Sequence, residues 1–185
     1  VLLRLLAVSV VLSVILCKFN SRGGVFINAP SLAYLLEHCQ SLKALTLRNL
    51  EMDEDHCRVI GTYSRPDLEI ELLYCVSTVA GATVLAEVLG RNQGPTKLHN
   101  GDIDTLLTAD GLRGNSRLKH LISQFSDNIE DRNGQLLAMA DAIRENKGLI
   151  KCHLRWYGAI VMSDETWDAI CDSLKTHPTL EVLDL

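Results

Sequence analysis

The histidines and cysteines are the side chains of this sequence with the greatest capacity for metal binding or nucleophilic catalysis, and there are six of each. His99, His120 and His153 recur at intervals that would bring them onto successive elements of a repeated fold, where they could share a metal ion. Each of them has a lysine close by in the sequence, whereas a metal-bound histidine normally has an acidic partner. We therefore predict no metal site and no cofactor.

The cysteines form no CxxC pair and are widely spaced, at positions 17, 39, 57, 75, 152 and 171. A disulfide framework is not expected at this chain length and cysteine density. We interpret them as small buried hydrophobic side chains of a protein in a reducing compartment, the cytoplasm. The sequence contains no GxSxG, HExxH or phosphate-loop motif, so we predict that it is not an enzyme and has no small-molecule substrate.

The composition favours a regular, layered core. Of the 185 residues, 47% are hydrophobic but only 5% are aromatic, so leucine, isoleucine, valine and alanine must fill the interior. The formal net charge is -5. Nucleic-acid binding normally requires a basic excess, so we predict no nucleic-acid partner.

A leucine pattern of the form LxxLxL recurs along the chain at steps of about 28 residues. It is found, complete or altered, at residues 42–47, 68–72, 95–98, 118–121, 149–154 and 180–185. Runs with apolar residues three and four positions apart precede the later patterns, at residues 83–92, 106–115, 135–146 and 167–177. Such spacing is typical of amphipathic helices.

Each unit is therefore predicted to contain a strand, a loop and a helix. Helix starts are indicated by Asn28, Asp53 and Ser163, and helix ends by asparagine or by His177 before a proline. One unit cannot bury its own apolar faces, so neighbouring units must stack, with a parallel sheet on one side and helices on the other. The alternative, a doubly wound α/β sheet, would need a glycine-rich phosphate loop, which is not seen.

The first residues permit two interpretations. Residues 1–17 are nearly all apolar, apart from Arg4 and two serines, and form either a buried part of a first repeat or a signal or membrane segment. We assign residues 1–29 to an apolar N-terminal segment, an irregular first repeat or cap, and residues 30–185 to the repeat domain. The start at Val1 and the strand-like end at Leu185 suggest a fragment, truncated at its C-terminal end.

The leucine pattern, loop and helix, with the helix-to-strand junctions at 89–92, 112–118, 143–149 and 174–180, resemble the ribonuclease-inhibitor-like subfamily of leucine-rich repeats. The resemblance covers roughly residues 30–185 and implies an α/β horseshoe solenoid, with a parallel sheet on the concave face and helices on the convex face. The family usually has asparagine or cysteine eight residues after the first leucine of each pattern. This chain instead has Leu50, Val76, Ile103, Ser126 and Tyr157 there, which predicts irregular curvature.

In such solenoids the strand side chains between the leucines face the concave surface, the usual partner site. The sequence puts a largely basic set there: Lys43, Arg48, Lys97, His99, Lys119, His120, Lys151, His153 and Arg155. The acidic residues that oppose it are Glu69, Glu181 and Asp184. Tyr74, Trp156 and Tyr157 are candidate aromatic anchors. A partner with an acidic surface would complement this set, although an ordinary mixture of solvated charges is the simpler explanation.

The predicted function is a non-catalytic protein-binding module or scaffold. Two alternatives remain at this point. The Ran GTPase activator resembles the same subfamily, which would make the chain a regulatory GTPase-activating protein. A membrane-tethered receptor segment is the other alternative, and it depends on residues 1–17.

Overall fold

The computed structural model describes residues 13–17, 27–100, 105–125, 132–156 and 162–184, along which strands and helices alternate. The strands are β1 (Ser13–Cys17), β2 (Ala44–Arg48), β3 (Glu51–Met52), β4 (Glu69–Ser77), β5 (Lys97–Asn100), β6 (His120–Phe125), β7 (Lys151–Trp156) and β8 (Val182–Asp184). The helices are α1 (Ala29–His38), α2 (Glu54–Thr62), α3 (Val79–Gly90), α4 (Thr105–Leu112), α5 (Arg132–Glu145) and α6 (Asp164–Thr176).

The spatial order of the strands follows their order along the chain. The sheet runs β1-β2-β4-β5-β6-β7-β8, with every pair parallel, and β3 pairs with the C-terminal end of β4. Each helix packs against the helix of the next unit, from α1 on α2 through to α5 on α6. The chain is therefore α/β with a parallel sheet, as predicted. The described strands show no reversal of order, the feature that creates the ligand crevice of doubly wound sheets.

One face of the sheet is buried in the core. A row of fully buried side chains crosses the strands at one level: Leu47, Leu72, Leu98, Leu121 and Cys152. The helices complete the same cluster, for example with Leu35 of α1 and Leu89 of α3. Full burial of one such leucine stabilises the fold by about 1.5–3 kcal/mol, so the repeated row contributes to the cohesion between units.

The first described strand belongs to the same sheet. Residues Ser13–Cys17 pair in parallel with β2, and Val14 is buried against the core. Residues 13–17 therefore form a strand of the sheet in which Val14 is buried and Ile15 is exposed, whereas residues 1–12 and 18–26 lie outside the described residues. Among the described residues, no helix has the length and apolar character needed to cross a membrane.

The predicted helix starts are capped as expected. The Asn28 side chain accepts a hydrogen bond from the backbone N–H of Ser31 at 3.0 Å, and Asp53 accepts one from His56 at 3.0 Å. Ser163 Oγ accepts the backbone N–H of Thr166 at 3.2 Å. These oxygens satisfy backbone donors that have no partner inside the helix, which explains why the helices begin where they do.

Buried asparagines at the helix-to-strand junctions connect neighbouring units. Asn146 Nδ2 donates to the carbonyl of Leu112 in the preceding unit at 3.0 Å, and its Oδ1 accepts the N–H groups of Gly148 and Leu149, both at 2.8 Å. Asn115 makes the equivalent bonds one unit earlier. The asparagines that the sequence marks as helix ends therefore also hold the units together.

His177 takes the place of asparagine at the next junction. Its Nδ1 accepts the backbone N–H groups of Thr179 at 3.2 Å and Leu180 at 3.0 Å, so this nitrogen carries no proton. Its Nε2 is buried and has no hydrogen-bond partner among the described residues. Burial lowers the pKa of His177 below its usual 6.5. Protonation of the ring would remove the acceptor that holds this turn.

We expect the protein to lose stability on mild acidification, in part through His177. A histidine whose pKa is lower in the folded state contributes stability that is complete above its unfolded pKa and is lost as the pH falls through the folded pKa. Urea unfolding at about pH 7.5 and about pH 5.5 should therefore show a lower free energy of unfolding at the lower pH. His177→Asn keeps an acceptor that does not titrate in this range, so the variant should lose less. Equal losses in the two proteins would contradict this role.

Candidate functional site

The sheet surface opposite the core, which we call the open face, carries the predicted partner-binding side chains. Its first row, near the strand starts, is Ile15, Thr46, Glu71, Lys97, His120, Lys151 and Val182. Its second row is Arg48, Leu73, His99, Ile122, His153 and Asp184. Tyr74 and Arg155 lie beyond the second row, towards the C-terminal ends of the strands. The structure thus brings eight of the ten predicted residues onto one surface.

Lys43 and Lys119 are the two exceptions. Neither belongs to a strand, because both come just before one. Lys43 Nζ lies 2.6 Å from Oδ2 of Asp67, and Lys119 Nζ donates to the backbone carbonyl of Ser116 at 2.8 Å. The prediction that these two lysines project from the open face is wrong, since their side chains are held at the rim.

The distance of a residue from the first leucine of its pattern does not tell which row of the open face the residue occupies. Arg48 and Arg155 each lie six residues after the first leucine of their pattern, yet Arg48 is level with His99 and His153, whereas Arg155 lies one row further on. Core-facing positions recur at every second residue of a strand. If the register of a strand shifts by two residues, its leucines therefore stay in the core, but its open-face residues move to another row.

His99 is buried, with 3% of its surface exposed, whereas the sequence predicted an exposed side chain. The reason is the ring of Tyr74, whose centroid lies 4.0 Å from that of His99 at an interplanar angle of 49°. Tyr74 itself is 45% exposed. The guanidinium carbon of Arg48 lies 5.3 Å from the Tyr74 ring centroid, within range of a cation–π contact. We call these three residues the Tyr74 cluster.

Tyr74 reaches this position through an irregularity in β4. Leu73 is paired with His99 and Cys75 with Asn100, so Tyr74 is one extra residue in the strand, a β-bulge. Its φ angle is 54°, in the left-handed region that costs an L residue about 1–2 kcal/mol. Bulges often redirect a side chain beside a functional site. The leucine pattern of β4 gave no signal of this feature.

Acidic residues compensate part of the positive charge of the open face. The sequence analysis placed only one of the two, Asp184, on this face. Glu71, which the sequence analysis did not place on this face, lies between Thr46 and Lys97, and its carboxylate is 3.4 Å from Lys97 Nζ. Asp184 lies 3.2 Å from Nδ1 of His153. Because side chains at matching positions on adjacent strands are neighbours, only the register reveals these pairs.

Three cations of the open face have no acidic partner among the described residues: Arg48, Lys151 and Arg155. All three are exposed and lie on strands, so their backbone is held by the sheet. A cation that is fixed in position and free of an internal partner can contribute its charge to an incoming anion. The open face is therefore less basic than the sequence predicted. Its uncompensated cations in the described part of the chain are Arg48 in the Tyr74 cluster and Lys151 and Arg155 on β7.

Burial and nearby cations lower the pKa of two histidines of the open face, His99 and His120. Burial lowers the pKa of His99, and the nearby cations Arg155 and Lys97 lower it further. Burial also lowers the pKa of His120, with smaller contributions from Lys151 and Lys97. Both imidazoles are consequently neutral at physiological pH, and the strong positive charge of the surface comes from its arginines and lysines.

Cys57, Cys75 and Cys152 are poor nucleophiles because burial raises the pKa of each thiol. Burial raises the pKa of Cys57 to about 12 and that of Cys152 to about 12. Cys39 and Cys75 are also buried free thiols, and Cys171 is half-buried and free. A thiol must lose its proton to become reactive, so the raised pKa keeps Cys57, Cys75 and Cys152 as unreactive core side chains. Within the described part of the chain, no group of three or more His, Cys, Asp or Glu side chains is placed to hold a metal ion.

The His56-Cys57 dipeptide has a structural role in the fold. His56 Nδ1 lies 2.7 Å from Oδ1 of Asp53, and its Nε2 lies 3.0 Å from the carbonyl of Ile27. His56 is buried, because it ties the start of α2 to the segment before α1. The backbone N–H of His56 is the main cause that lowers the pKa of Asp53. Both ring nitrogens of His56 therefore have a polar partner within the fold.

A cleft of about 490 Å³ lies away from the open face, among Gly114, Arg144, Glu145, Asn146, Lys147 and Pro178. Two of its three charged residues have partners, since Arg144 pairs with Asp141 at 2.6 Å and Glu145 pairs with Arg113 at 3.1 Å. The open face, with three uncompensated cations, is the better candidate for binding.

Of the other predicted anchors, Trp156 ends β7, and Tyr157 lies outside the described residues. Comparison with models of protein families finds no match for this chain, and comparison with curated proteins finds none either. The functional argument therefore depends on the geometry of the open face.

Proposed function

We propose that the chain is a leucine-rich-repeat solenoid of the ribonuclease-inhibitor type that binds another protein through its open face, without catalysis. Three features support the solenoid: strands in chain order, one helix for each main strand step, and asparagines that connect two of the junctions to the preceding unit. Helices pack in the same sequential order, as in solenoids generally. The concave surface of the proposed horseshoe is the open face.

The single observation that carries the binding proposal is the set of uncompensated cations on the same face as an exposed aromatic ring. Arg48, Lys151 and Arg155 lack acidic partners among the described residues, and Tyr74, which is 45% exposed, lies next to Arg48. Tyrosine and arginine are enriched at the energetic centres of protein interfaces. Fixed positive charge selects an acidic partner and speeds association with it. We propose a protein partner with an acidic surface, and no nucleic-acid or small-molecule ligand.

The test is a pull-down from native lysate with a charge-reversed open face. Lys151→Glu combined with Arg155→Glu should remove an acidic partner, because both cations would then repel it. The matched control is Arg58→Glu combined with Arg91→Glu, which changes the net charge equally on helix α2 and just after helix α3. Arg58 and Arg91 form surface pairs with Glu54 and Glu87, so their loss costs little stability.

The expected result is an acidic protein, identified by mass spectrometry, that wild type and the helix control retain and the open-face variant loses. Circular dichroism should show that all three proteins are folded. Retention of the same proteins by the open-face variant would exclude this face as the binding site. The alternative that resembles the Ran GTPase activator is tested separately, since a GTPase turnover assay with added chain should show no acceleration.

We also propose a cytoplasmic location. The five cysteines whose side chains are described are free, four of them buried in the core. Free thiols are the normal state of proteins in a reducing compartment. Fractionation with an antibody against the chain tests this, and recovery in the secreted fraction would contradict it.

A further inference from the structure

The centre of the open face has apolar and aromatic side chains, with cations on both sides of them. In the second row, Leu73 and Ile122 are partly exposed and lie on either side of His99. The Tyr74 ring covers His99 and rises above this strip. An apolar centre with a charged rim is the usual anatomy of a protein-binding surface.

Arg48 and Arg155 lie on opposite sides of that centre. Arg48 belongs to β2 and lies against the Tyr74 ring, while Arg155 belongs to β7 and is near enough to His99 to lower its pKa. Four strand steps separate β2 from β7, which is about 19 Å at the usual spacing between strands. An extended segment of about six residues spans that distance. The dimensions therefore suit a short extended segment that crosses the strands.

We propose, on the basis of the protein-binding function above, that the partner presents an acidic segment with one apolar side chain at its middle. The apolar side chain packs on Tyr74 beside Leu73 and Ile122, and carboxylates on either side of it meet Arg48 and Arg155. Charge complementarity favours an acidic segment, since neither guanidinium has an acidic partner among the described residues. The positive φ of Tyr74 is consistent with this role, because it lifts the ring out of the sheet at a cost in backbone energy.

The test uses two synthetic peptides that differ at one position. The first has a leucine between two groups of glutamates, and the second has glutamine in place of that leucine. Binding to the full chain is measured by fluorescence anisotropy of a terminal label. The leucine peptide should bind at least about tenfold more tightly than the glutamine peptide, as expected for an apolar contact at an interface centre. A matched lysine peptide should not bind.

Two variants examine the role of Tyr74. Tyr74→Gly removes the ring but accepts the positive φ, so the bulge is retained, and it should abolish the preference for the leucine peptide. Tyr34→Ala is the control, because Tyr34 is similarly exposed and stacks on a histidine, His38, with centroids 4.1 Å apart on helix α1. This control should keep the preference.

Equal binding of the two peptides, or a preference that survives Tyr74→Gly, overturns the inference. If binding is equal but is lost with Lys151→Glu and Arg155→Glu, the protein-binding function stands and only the apolar anchor is wrong. If neither peptide binds, the inference is also overturned, and the pull-down decides the function by itself.

Discussion

Asn146→Leu is expected to lower the free energy of unfolding by at least about 3 kcal/mol. Asn146 is buried, and its amide satisfies three backbone groups: the carbonyl of Leu112 and the N–H groups of Gly148 and Leu149. Leucine has a similar size but offers neither donor nor acceptor. Each buried backbone group left without a partner costs about 1–3 kcal/mol. Urea unfolding followed by circular dichroism measures the loss.

The control is the neighbouring residue. Lys147 is exposed, and its backbone N–H donates to the carbonyl of Asn115, a bond that any non-proline side chain allows. Lys147→Leu should therefore change the free energy of unfolding by no more than about 0.5 kcal/mol. If the two variants unfold at the same urea concentration, the hydrogen bonds of Asn146 do not stabilise the contact between the units, although their distances are short.

Gly148→Ala is expected to destabilise the protein by about 1–3 kcal/mol or more, although it adds a single methyl group. A Cβ at residue 148 would overlap the carbonyl group of Ser116 and would lie 2.7 Å from its Cα. Ser116 belongs to the preceding junction, and backbone atoms there cannot move aside without disturbing the bonds made by Asn115 and Asn146. Thermal unfolding should show a lower melting temperature.

Gly90→Ala provides the comparison. Gly90 is the last residue of α3, and a Cβ there would have no atom within 4 Å. Alanine also favours the helix over the unfolded chain, so this variant should be neutral or gain up to about 1 kcal/mol. A loss of stability in Gly90→Ala equal to that in Gly148→Ala would mean that the close approach to Ser116 is not the cause.

The sequence determined the local elements of this protein. The leucine pattern predicted the parallel α/β arrangement, and the described strands and helices confirm it. Asn28, Asp53 and Ser163 marked the helix starts correctly, and Asn115 and Asn146 marked helix ends. These features depend on residues a few positions apart, whose periodicity and hydrogen-bonding capacity can be judged from the chain alone.

The tertiary structure decided the composition of the binding surface. Leucines at every second position permit several registers, so the sequence did not show that Glu71 meets Lys97 or that Lys43 stays at the rim beside Asp67. The extra residue in β4 likewise became visible only in the pairing, and it explains why Tyr74 is exposed and His99 is buried. The exposure of a side chain, the charges that compensate it and the backbone atoms that approach it depend on which strands are neighbours and on their register. Those contacts join residues far apart in the chain, beyond the reach of local pattern.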